Sequence, residues 1–169
     1  LGLLPAARVR EAAGARGDAG VAAHTQALDA ATRALFEQRG PVREQYEHWL
    51  ATAAGWLDDY ALFTAIQQRE QGRPWWEWPD SLRKRDPHAL AAARRELADD
   101  VQAVCALQWF FHSQWAELRR YANRRGVQLF GDVPIYVAPD SVEVWAHPGL
   151  FQLAPSGRPA AVAGVPPDY

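Results

Sequence analysis

Apolar residues advance in steps of three, four or seven along most of this chain and cluster into a short run only near its end. That pattern predicts a mostly helical chain with one strand. Residues 1–19 hold Gly, Ala and Arg without a clear period and predict a poorly ordered lead-in. From about Gly20 to Gln38, Val21, Leu28, Ala31, Leu35 and Phe36 recur at helical spacing. Gly40-Pro41 supplies a break and a first-turn proline, opening a helix from Val42 to about Ala54. A further helix runs from Gly55 to Gln71 with Gly72 as its stop, and Arg73–Pro79 is an aromatic loop. Asp86-Pro87 and Gly126 bracket one long helix, striped by Leu97, Val101, Val104, Phe111, Trp115, Leu118 and Ala122. Val127 to Phe130 is the strand, and Asp140-Ser141-Val142-Glu143 reads as a capping box for a short helix that ends before His147-Pro148-Gly149. The proline-rich tail is loop with two extended pieces, Phe151–Leu153 and Ala161–Val162.

Composition narrows the function classes. The formal net charge of the 169 residues is -2, and the 18 basic residues, Lys84 the one lysine among them, are interleaved with acids rather than massed. A nucleic-acid partner needs a basic patch, so none is expected. No apolar run approaches the roughly 20 residues of a membrane span. A single cysteine, Cys105, cannot form an internal disulfide and reads as a small buried hydrophobe. The five histidines have no metal-ligand spacing, and no cofactor pattern stands out. The expected setting is cytoplasmic. The absence of methionine and the unfinished tail read as an internal piece of a longer protein.

Among residues that could carry chemistry, Asp132 leads. It stands where the apolar run stops, and a strand that follows a helix and ends in Gly-Asp looks like one βα unit of an α/β barrel, whose active site lies at the carboxyl ends of its strands. The plain alternative is turn or cap duty. Tyr136 and Trp145 could line the same cleft, although Trp145 reads better as the anchor of its short helix and Asp140 as that helix's cap. Asp58 and Asp59, adjacent on a helix, point about 100° apart and do not converge. Trp75, Trp76 and Trp78 form either a sugar-stacking platform or an aromatic plug.

Several ordered motifs then agree. Gly131-Asp132-Val133-Pro134-Ile135-Tyr136-Val137-Ala138-Pro139-Asp140-Ser141-Val142-Glu143-Val144-Trp145, Trp56 to Phe63, Pro74 to Pro79, Gln108 to Phe111 and the tail to Pro166-Pro167-Asp168-Tyr169 closely resemble the 4-α-glucanotransferases, or amylomaltases. The resemblance covers residues 40–169 well and 1–39 poorly. It implies an α/β fold, a fragment of a TIM (β/α)8 barrel with one barrel strand and a long outer helix. The organisation expected is a lead-in over 1–39, a helical segment outside the barrel over 40–126, and the strand with its active-site loops over 127–169.

The implied activity is retaining transfer of α-1,4-glucan segments between maltooligosaccharides, with no cofactor. The resemblance places Asp132 under the donor sugar as a substrate-positioning carboxylate and Asp168 with Tyr169 at the start of a mobile loop over the glucan. It puts the nucleophile and the acid/base beyond the C-terminus, so this chain alone is expected to be inactive. Pro139 and Val142-Glu143 depart from the family pattern and bear on the details of the loop and short helix that follow Asp132. The competing function is a non-catalytic glucan-binding or interaction module built on the helices and the aromatic loop.

Overall fold

The computed structural model describes residues 1–161 and 164. Its helices are α1 (Ala6–Gly14), α2 (Gly17–Glu37), α3 (Pro41–Arg69), α4 (Asp80–Arg83), α5 (Pro87–Glu96), α6 (Ala98–Arg124) and α7 (Val142–Ala146), with 3-10 turns at Trp75–Glu77 and Pro148–Leu150. The chain forms two compact units. One holds residues 1–57 and 102–127, the other 58–101 and 128–169, so α3 and α6 contribute to both. None of the described helices is long and apolar enough to cross a membrane.

In the first unit the expected lead-in is instead the helix α1. Alanine and arginine are strong helix formers, and this outweighs the missing period. Glycine serves the turn that follows: Gly17 has φ +61, and a β-carbon on Gly20 would lie 2.8 Å from the Ala15 carbonyl oxygen. The unit's core comprises Leu35, Tyr46, Ala53, Leu57, Val104, Cys105, Ala106, Trp109 and Phe110. Tyr46 meets Phe36 and Trp109 edge to face, with ring centroids 5.9 and 5.6 Å away. Burial pushes the Tyr46 phenol up to about 12, with the neighbouring Cys105 adding to the shift and Arg43 opposing it.

The two helices expected between Val42 and Gln71 are one, and α3 runs through Gly55 unbroken. A glycine inside a helix costs only about 1 kcal/mol. The buried stripe Tyr46, Ala53, Leu57, Ala61, Ala65 keeps a helical step on both sides of it and holds it in register. Gly72 ends the run as expected, at φ +75, with its amide donating to the Gln67 carbonyl at 2.8 Å.

The single long helix expected between Asp86 and Gly126 is two, parted at Leu97 (φ -106, ψ 25). Both ends of the range hold: the Asp86 carboxylate accepts from the Ala89 amide at 2.9 Å, and Gly126 has φ +73. Charge explains the break. Arg94 and Arg95 close α5 while Asp99 and Asp100 open α6, each suiting the dipole end beside it. The stripe is also only half buried. Leu97 and Val104 are in the interior, but Phe111, Trp115 and Leu118 are exposed, and Cys105, Ala106, Trp109 and Phe110 take the interior places.

The second unit is built around Phe63, Trp78 and Trp145, whose ring centroids lie 5.1 to 5.7 Å apart. Trp145 is fully buried, its indole N–H donates to the Leu82 carbonyl at 3.0 Å, and the Arg85 guanidinium lies 4.1 Å above its ring. Asp59 holds that guanidinium at 2.9 and 2.8 Å, which gives this member of the Asp58-Asp59 pair a structural role. On the surface of α4, Lys84 and then Arg83 hold the Asp80 carboxyl down at about 2.

The expected strand is absent: no strand occurs among the described residues, and over Val127–Phe130 the Val127 amide donates back to the Ala122 carbonyl of α6 at 3.1 Å instead of to a neighbouring strand. A strand needs a neighbour to take its amides and carbonyls, and a parallel neighbour arrives only through a long crossover. The described residues supply no such neighbour. Of the two extended pieces in the tail, Leu153 pairs with Pro159 in an isolated antiparallel bridge, Ala161 is a bend, and Val162 lies outside the described residues.

Candidate functional site

The segment from Gly131 to Pro139 lies on the surface of the second unit. Phe130 is 93% exposed, Val133 82% and Ile135 89%, an uncommon state for apolar side chains so close together. Asp132 is exposed too, and its Oδ1 accepts the amide of Val133 at 2.8 Å, a local bond that engages one of its two oxygens. Tyr136 is half exposed and lines a concavity of about 440 Å³ with Ile135, Val137, Val144, Phe151 and Leu153. Asp132 does not line it. Asp168 and Tyr169 lie outside the described residues.

The far end of the segment is firmly seated. The Asp140 carboxylate accepts the Trp75 amide at 3.1 Å and the Gln67 side-chain amide at 3.0 Å, while the Pro139 carbonyl accepts the Trp75 indole N–H at 2.9 Å. Asp140 is therefore a tertiary clamp and not the cap of α7. The expected capping box does not form: Ser141 is the N-cap residue, its side chain makes no cap bond, and its buried Oγ has no partner among the described residues. Two donors from distant parts of the chain have claimed the carboxylate that local spacing assigned to the helix.

The tryptophan cluster resolves in favour of packing. Trp75 and Trp78 are each 3% exposed and belong to the core with Trp145, so neither can stack on a sugar; Trp76 is half-buried against the same core. No group of three or more His, Cys, Asp or Glu among the described residues is arranged to hold a metal ion. Sequence reasoning missed Gln67, the clamping role of Asp140, and Gly157. Gly157 has φ +87 and lies so close to Trp75 that a β-carbon would be 3.0 Å from its ring. Its one sequence signal is a glycine within Pro155-Ser156-Gly157, a turn mark without a stated partner.

Comparison with known proteins places these features in a family. The 4-alpha-glucanotransferase family of glycoside hydrolases matches residues 10–169. The 4-alpha-glucanotransferase of Thermus thermophilus is 46% identical over 144 residues, 85% of this chain and 29% of that protein. The chloroplastic/amyloplastic 4-alpha-glucanotransferase of Solanum tuberosum is 35% identical over 140 residues, 82% of this chain and 24% of that one. Among solved structures, the amylomaltase from Streptococcus agalactiae in complex with acarbose superposes with a TM-score of 0.78 at 36% identity, covering 85% of this chain and 29% of that chain. The chain thus spans 24% to 29% of the length of these relatives.

Proposed function

Because the chain belongs to the 4-alpha-glucanotransferase family of glycoside hydrolases, we propose that the intact protein moves α-1,4-glucan pieces between maltooligosaccharides by a retaining, double-displacement route. The match over residues 10–169 carries this reading, and it includes the whole Gly131–Trp145 motif. Retaining chemistry needs two carboxyl groups about 5 to 5.5 Å apart, one attacking the sugar and one protonating the leaving oxygen. We assign both to residues outside this chain, so no residue here makes or breaks the glycosidic bond.

The role assigned to Asp132 is to hold the donor sugar. An ionised carboxylate accepts hydrogen bonds from hydroxyls, and this one is on an exposed residue. Tyr136 would meet the same chain of sugars with an aromatic face and a phenol, a pairing suited to the mixed apolar and polar surface of glucose. Asp168 and Tyr169 are assigned to the loop that closes over the glucan. In the intact protein Val127–Phe130 would pair as a barrel strand, which would account for apolar side chains that here face solvent. The alternative of a non-catalytic glucan-binding module loses its main support, since two of the three clustered tryptophans are in the core.

Incubating the intact protein with maltotriose tests the proposal. Transfer yields both longer and shorter maltooligosaccharides at a constant number of reducing ends. A rising number would indicate hydrolysis instead, and unchanged maltotriose would overturn the assignment.

A further inference from the structure

We propose that Trp75, acting with Asp140, is a positioning residue for the sugar site: one buried indole seats the end of the Asp132–Pro139 segment and a second turn of the chain at once. The inference rests on the glucanotransferase reading for the meaning of that segment, and on geometry for the rest. Trp75 uses its backbone amide on Asp140, its indole N–H on the Pro139 carbonyl, and its ring edge on Gly157. Gly157 lies in the turn that follows the Leu153–Pro159 bridge residue Leu153, and its φ of +87 together with the close ring excludes any side chain there.

Trp75 can fix these contacts because it is itself fixed. It is 3% exposed, starts a 3-10 turn, and packs in a core with Phe63, Trp78 and Trp145. The segment it anchors has little cover of its own, with Val133 and Ile135 more than four-fifths exposed. A carboxylate on such a segment meets a sugar in one place only if the segment's end is held. Misplacing a binding group by about 1 Å can slow an enzyme about a hundredfold.

The test uses the intact protein and the variants Trp75→Phe, Asp140→Ala and Asp140→Asn. It measures kcat and KM for maltotriose, the melting temperature, and hydrogen exchange of the amides at 132–139. Trp75→Phe keeps most of the ring but removes the bond to Pro139, and should lower kcat by about tenfold or more. Exchange at 132–139 should rise while the melting temperature moves by a few degrees at most. Asp140→Ala should behave alike. Asp140→Asn should recover most of the activity, because its carbonyl oxygen can take the Trp75 amide and Gln67 can turn its own oxygen to the new amide.

Wild-type kcat with unchanged exchange in Trp75→Phe would overturn the proposal. So would an activity loss in all three variants that follows the melting temperature alone. Absence of transfer by the unsubstituted protein would count against the glucanotransferase reading, and the exchange data would still decide whether Trp75 seats the segment.

Discussion

Three aspartates show how differently one side chain can be used. Asp59 neutralises a guanidinium above Trp145, Asp140 gathers a backbone amide and a glutamine, and Asp132 bonds its neighbour's amide from the surface. Spacing along the chain is enough to show that Asp58 and Asp59 diverge. It cannot show that Arg85 or Trp75 is the partner, because those lie 26 and 65 residues away. Tyr46 offers a test at this scale. Its phenol is favoured neutral in the fold, at about 12 against an ordinary 10.0. A raised value means that the folded state holds the proton longer, so this contribution to stability is whole below pH 10 and fades as pH rises toward 12. Stability measured between pH 9 and 12 should fall more steeply for the wild type than for Tyr46→Phe. Parallel curves would contradict the assignment.

At the scale of elements, starts and stops were the most legible part of the sequence. Pro41, Asp86, Gly72 and Gly126 each act where their backbone preferences put them. Continuity was harder to read, because a mid-helix glycine and a charge reversal are weak signals beside a buried stripe. Gly55 stays helical since Leu57 and Ala53 are buried on either side of it, while Arg94-Arg95 and Asp99-Asp100 mark a break that the apolar steps conceal. A β-carbon at Gly55 would meet nothing within 4 Å. Gly55→Ala should therefore stabilise the protein by about 0.5 to 1 kcal/mol. Denaturant midpoints compare the two, and a loss of stability would mean that the helix needs its glycine. The strand does not form, whatever its apolar pattern, because no neighbour for it to pair with occurs among the described residues.

For the molecule as a whole, the motif from Gly131 to Trp145 made the family legible, and the match over residues 10–169 shows the membership. The site was legible only in part. Asp132 and Tyr136 are exposed, but the groups that bond the end of their segment come from α3, read as a packing helix, and from the aromatic turn, read as either a sugar platform or a plug and not as a clamp. Exposed Phe130, Val133 and Ile135 fit a chain that spans 29% of a relative's length.

The central claim is that Asp132 holds a sugar. Its most direct test is the turnover of maltotriose by the intact protein carrying Asp132→Ala, with circular dichroism to establish that the fold is retained. The account predicts a loss of at least about a hundredfold in kcat at near-normal stability. Turnover close to that of the unsubstituted protein would contradict it.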